Sequence, residues 1–109
     1  MHELSITRSV VALCAERANG ARVQRVTLVI GQLSGVMADA VRFCFDICAR
    51  GTPVEGASLE IIETPGRARC LDCGGEIELP MLAMRCLCGS ANLQLLSGDE
   101  LKVREMEVV

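Results

Sequence analysis

Two short thiol pairs, Cys70-Leu71-Asp72-Cys73 and Cys86-Leu87-Cys88, lie in the second half of the chain with twelve residues between them. Four thiols at this spacing suit a tetrahedral Zn2+, each loop supplying two thiolates, and the glycines that follow (Gly74, Gly75 and Gly89) let the backbone turn tightly around a metal. The chain has seven cysteines, an odd number that speaks against a disulfide framework. Loop thiols without a metal would also be open to oxidation. The second pair is C-x-C, one residue short of a C-x-x-C knuckle. Residues i and i+2 of an extended segment face the same way, so Cys86 and Cys88 can still chelate. The shorter loop is expected to lose some backbone N–H bonds to sulfur. If a sulfur fails, the oxygen donors at hand are Asp72, Glu76 or water. Arg67, Arg69 and Arg85 flank the cysteines and are expected as solvated surface groups, the alternative being to balance the charge of a tetrathiolate.

A metal staple also answers a shortage elsewhere. Half of the 109 residues are apolar, yet Phe43 and Phe45 are the only aromatic side chains. The core must therefore come from Leu, Val, Ile, Met and Cys. A chain of this length has room for one modest core plus a small module held by something other than burial.

The pattern along the chain predicts how the two parts divide. Ile6, Val10, Leu13 and Arg17 recur at helical spacing over residues 4–18, and Asn19-Gly20 reads as a stop. Residues 22–30 are β-branched and alternating, which predicts a strand closed by Gly31. Over residues 40–50, Val41, Cys44, Phe45 and Cys48 form one apolar stripe, with Arg42, Asp46 and Arg50 opposite and Gly51 after the end. Cys44, Cys48 and Cys14 are expected as core thiols. Leu59–Ile62 predicts a second strand. A third begins at Leu93, broken at Ser97-Gly98-Asp99. The stretch from Pro65 to Ala91 lacks such periodicity. The expected fold class is α+β, with two helices packed on a small, about three-stranded sheet and a zinc-ribbon-like lobe inserted. Residues 1–64 plus 93–109 would form the main domain, and 65–92 the lobe.

The charge pattern excludes several functions. The formal charge is −3 and neither half carries a basic block, which argues against nucleic acid as a partner. No apolar run is long enough for a membrane span, and Met1-His2-Glu3 does not read as a signal peptide. A cytoplasmic protein is expected. No phosphate-binding loop is present, and a single histidine cannot build a catalytic triad. An enzyme is not expected.

That single histidine is His2. The α-amine of Met1, the backbone nitrogen of His2 and its imidazole are adjacent donors that can close chelate rings around one ion. Nitrogen donors in a square-planar array suit Ni2+ or Cu2+. Glu3 adds a backbone nitrogen or a carboxylate.

Met1-His2-Glu3-Leu4-Ser5-Ile6 resembles the opening of the HypA/HybF hydrogenase-maturation family. The likeness continues through Arg25-Val26, Ile30-Gly31, Phe43-Cys44-Phe45-Asp46, Leu59-Glu60-Ile61, the first cysteine pair, Cys88-Gly89-Ser90 and Leu101-Lys102-Val103. The resemblance implies a non-catalytic metallochaperone that delivers Ni2+ to nickel–iron hydrogenase and keeps a separate structural Zn2+ site. Nickel would be held by Met1, His2 and Glu3, and zinc by Cys70, Cys73, Cys86 and Cys88. The implied partners are a HypB-type GTPase and the hydrogenase large-subunit precursor, with the chain itself a monomer or weak homodimer. The sequence departs from the family at the second cysteine pair. It also has Met37 where some members carry an acid, which makes Asp39 a further candidate nickel ligand. The other reading of Asp39 is the N-cap of the second helix. The competing function is a zinc-ribbon interaction module without nickel transfer.

Overall fold

The computed structural model describes residues 2–81 and 84–109, in an elongated body of 52 × 25 × 17 Å. Helix α1 (His2–Ala18) leads to strand β1 (Val23–Gly31), then α2 (Ala38–Ala49) and β2 (Ser58–Thr64). Three short strands follow, β3 (Arg67–Cys70), β4 (Glu76–Glu78) and β5 (Leu93–Ser97), and β6 (Leu101–Val108) closes the chain. They form two three-stranded sheets, ordered β2-β1-β6 and β4-β3-β5.

In the first sheet β1 is central, parallel to β2 and antiparallel to β6. The parallel pair needs a crossover, and α2 is that crossover. Val26, Leu28 and Ile30 alternate onto one face of β1, where both helices cover them. Val41, Phe45 and Ala49 of α2 complete the core with Val54 and Ala57. The stripe expected on the second helix is the one buried, with Val41, Cys44 and Phe45 inside and Cys48 half-buried. Both helices stop as their sequences dictate. Asn19 and Gly20 adopt positive φ after α1, and Gly51 does so after α2.

The buried face of α1 differs from the expected one. Thr7, Val11, Cys14 and Ala18 are inside, while Ile6 and Val10 are half-covered and Leu13 is 39% exposed. α1 lies chiefly against α2 and only lightly on the sheet. Small side chains allow that close helix–helix approach, and a count of large apolar residues does not register them. Thr7 is fully buried because its hydroxyl donates to the Glu3 carbonyl at 2.6 Å.

The residues from Leu93 onward divide between the sheets. Residues 93–97, grouped from the sequence with the main domain, pair instead with β3, and only β6 joins β1. The chain crosses at Gly98, whose φ of 108° is open to glycine. A methyl group there would sit 2.5 Å from the Cα of Gly66. Glu100 fastens the crossing, accepting from the Thr64 hydroxyl and the Gly98 amide, both at 2.7 Å.

Candidate metal centre

The two cysteine loops lie at one end of the second sheet, one following β3 and the other preceding β5, where Cys70 pairs with Leu93. Cys70 ends β3, and the chain turns through Gly74, where the Gly74 amide donates to the Cys70 carbonyl and the Cys70 amide to the Gly75 carbonyl, each at 2.8 Å. The shorter loop turns in the same manner. The Gly89 amide donates to the Cys86 carbonyl at 2.8 Å and the Cys86 amide to the Ser90 carbonyl at 2.9 Å. Gly74 and Gly89, each the residue after its second cysteine, have φ of 77° and 93°. This is the strained turn that reserves those positions for glycine.

The four sulfurs converge. All lie within 4.8 Å of one another, with Cys70–Cys88 at 3.7 Å and Cys73–Cys86 at 3.6 Å. Sulfurs about 2.3 Å from one tetrahedral Zn2+ would be about 3.8 Å apart, so the donor set and its spacing fit that ion. The missing residue of the C-x-C pair does not keep Cys86 and Cys88 out of the cluster. Nor does it remove every amide from sulfur. The Cys73 amide donates to the Cys70 sulfur at 3.4 Å, and the Ser90 amide favours the Cys88 thiolate.

The four thiols differ in how readily they ionise, and the cause is their mutual crowding. The Cys73 amide brings the Cys70 thiol down to about 6. At Cys88 the Ser90 amide favours ionisation, but the sulfurs of Cys86 and Cys70 outweigh it and push the thiol up to about 12. Cys73 is likewise raised, its Gly75 amide outweighed by the neighbouring Cys86 and Cys70 sulfurs. Packed thiols resist sharing four negative charges, and a divalent ion bound among them would relieve that resistance.

Neighbouring polar groups take other roles. Asp72 accepts from the Ser90 hydroxyl and the Asn92 side chain, so it ties one loop to the other. Nothing in the sequence reading singled it out for this role. Glu76 pairs with Arg67 and Arg69, and Arg85 donates to the Gly89 carbonyl. These arginines lie on the surface of the lobe.

The N-terminal group lies in the other lobe. Met1 falls outside the described residues. His2 and Glu3 form the first turn of α1, with His2 exposed and its Nδ1 3.9 Å from Glu3 Oε2. Glu3 Oε2 accepts the Met37 amide at 3.2 Å, and that bond, more than any other contact, holds its carboxyl below the ordinary range. The carboxylate thus takes the amide of the N-cap residue, the part played in a capping box by a carboxylate at the third helical position, and Met37 supplies no side-chain cap of its own. Asp39, expected as that N-cap, is instead in the first turn of α2, and its largely exposed side chain pairs with Arg42 at 2.7 Å.

A small α/β lobe with an exposed histidine at its first turn, joined to a lobe built on four thiols, has the organisation of a metallochaperone. The family described as "Hydrogenase/urease nickel incorporation, metallochaperone, hypA" matches residues 1–108. The chain is 56% identical over 108 residues to the hydrogenase maturation factor HypA of Nostoc punctiforme, covering 99% of this chain and 96% of that protein. It is 57% identical over 109 residues to the HypA of Rippkaea orientalis, at the same coverage. A solution structure of HypA protein, 26% identical, superposes with a TM-score of 0.72 and covers 100% of this chain and 97% of the other. The Ni metallochaperone HypA from Helicobacter pylori, 24% identical, has the same fold with a TM-score of 0.66, covering 98% of this chain and 97% of that one.

The chain belongs to the HypA family. Its function is that of a nickel-incorporation metallochaperone in hydrogenase maturation, which favours the nickel reading over an interaction module without nickel. A maturation factor works with other maturation proteins. Among the described residues, no helix is long and apolar enough to cross a membrane.

Proposed function

We propose that nickel is carried at the N-terminus, by Met1, His2 and Glu3, while the four thiols hold a structural Zn2+ that is not transferred. The observation that carries this reading is the start of α1 at His2. The first amides of a helix have no intrahelical acceptor, so the His2 and Glu3 nitrogens are free to lose their protons to a metal. With the α-amine and the exposed imidazole they make a nitrogen set suited to square-planar Ni2+. The Glu3 carboxylate is engaged with Met37, so Glu3 serves through its backbone nitrogen. Asp39, paired with Arg42, is at most an outer contributor.

In this reading the chain catalyses nothing. It works in the cytoplasm, receives or exchanges nickel with a HypB-type GTPase, and presents the ion to the hydrogenase large-subunit precursor. Nucleotide hydrolysis belongs to the partner.

The test is titration with Ni2+ of three proteins: the free-ended chain, the chain with two residues added before Met1, and His2→Ala. Extension removes the α-amine from the chelate, so both altered proteins should lose the tight site while retaining zinc. Affinity in the free-ended chain should rise with pH, because amine, amides and imidazole bind only when deprotonated. Equal nickel affinity in all three would refute the N-terminal site.

A further inference from the structure

Neighbouring backbone nitrogens can share one ion only if the chain holds them at the right separation. Nitrogens about 2 Å from an ion and at right angles to one another are about 2.8 Å apart. Helical ψ brings successive backbone nitrogens to about 2.8 Å, whereas an extended residue holds them at about 3.5 Å. α1 is helical from His2 onward, so the His2 and Glu3 nitrogens stand at chelating separation before any metal arrives. That advantage lasts only while the first turn stays wound.

Helix ends fray, and the residue ahead of His2 is Met1, whose side chain has no oxygen to cap the first amides. A capping oxygen there would in any case occupy the nitrogens that nickel needs. The turn is tied through Glu3 instead. Its carboxylate accepts the Met37 amide at 3.2 Å, and its carbonyl accepts the Thr7 hydroxyl at 2.6 Å. Neither bond uses an amide of the first turn, so those nitrogens stay open.

Thr7 is not the residue that packing alone would select. It is 0% exposed, on the face of α1 that continues through Val11, Cys14 and Ala18. Valine has the same shape and no hydroxyl to desolvate. A hydroxyl bonded back to the carbonyl four residues earlier slightly destabilises a helix interior. The bond to Glu3 therefore serves something other than the core.

We infer that Thr7 is a positioning residue of the nickel site: its hydroxyl fixes the Glu3 carbonyl, keeps the first turn of α1 wound, and so holds the His2 and Glu3 nitrogens at chelating separation. The inference rests on the N-terminal reading of that site. Thr7 supplies no ligand atom and acts through Glu3, four residues away.

The test titrates the zinc-loaded full chain, with a free N-terminus, with Ni2+ against a competing chelator. Thr7→Val removes the hydroxyl and keeps the volume. It should weaken nickel binding about fivefold, as the net loss of one hydrogen bond does, and lower the share of bound nickel with a square-planar visible spectrum. Thr7→Ser keeps the hydroxyl and should restore both. Zinc content and the denaturant midpoint of Thr7→Val should not fall, which separates positioning from a general loosening. If Thr7→Val disturbs the core, Thr7→Ala against Thr7→Ser makes the same comparison. Wild-type affinity and spectrum in the variant without the hydroxyl, or an equal loss in Thr7→Ser, would overturn the inference and leave the N-terminal site standing. Should the chain with two residues added before Met1 also bind nickel as the wild type does, the N-terminal reading fails and the inference with it.

Discussion

Cys73→Ser removes one of the four sulfurs while altering the side chain by a single atom. In the second lobe the buried side chains among the described residues are Ala68, Cys70, Leu79 and Cys86, two of them members of the thiol cluster. Burying Ala68 and Leu79 contributes about 3 kcal/mol. Apparent zinc binding by small thiolate sites contributes about 10–16 kcal/mol. The metal term is several times the burial term, so a lobe that loses zinc lacks the means to order its three short strands. The first lobe is differently provided, with thirteen residues in one buried cluster. Bound zinc should fall well below one per chain. In hydrogen exchange, amides of β3, β4 and β5 should lose protection while those of β1 and α2 retain it. Full zinc content with unchanged protection in β3–β5 would refute the reasoning.

Two further outcomes follow from the packing. Phe45→Ala should cost about 3–5 kcal/mol in denaturant unfolding, because the ring is 2% exposed, whereas Phe43→Ala, at 77% exposure, should stay within about 0.5 kcal/mol. The Thr64 hydroxyl, foremost among its contacts, lowers the Glu100 carboxyl. Its stabilising contribution is therefore complete above the ordinary carboxylate range and lost as pH falls through the lowered value. Glu100→Gln should show a smaller loss of stability across that acid range, and equal slopes for the two proteins would contradict the role of Glu100 at the crossing.

The sequence made some of this plain and hid the rest for identifiable reasons. α2 was legible because Val41, Cys44, Phe45 and Cys48 form one stripe against one neighbour. The four thiols were legible because two chelating loops need little else. The facing of α1 was not, because its buried side is built from Thr7, Cys14 and Ala18, which hydropathy undervalues. β3 and β4 are four and three residues long, too short for alternation to show beside the knuckles. The sharing of 93–97 and 101–108 between two sheets depends on Gly98 packing against Gly66, a contact no local pattern contains. Asp72 was read as a spare ligand because its bonds to Ser90 and Asn92 arise only when the loops meet. Asp39 is not the N-cap because α2 begins one residue before it, at Ala38, and the contact at the head of the helix comes from Glu3, far away in sequence.

The central claim is that one chain holds two metals in two unlike sites. X-ray absorption at both metal edges, on the free-ended protein loaded with one zinc and one nickel, tests it directly. The zinc edge should show four sulfur neighbours at about 2.3 Å. The nickel edge should show four nitrogen neighbours and no sulfur, in a square-planar signature. Sulfur around the nickel, or nitrogen or oxygen replacing sulfur around the zinc, would contradict the account.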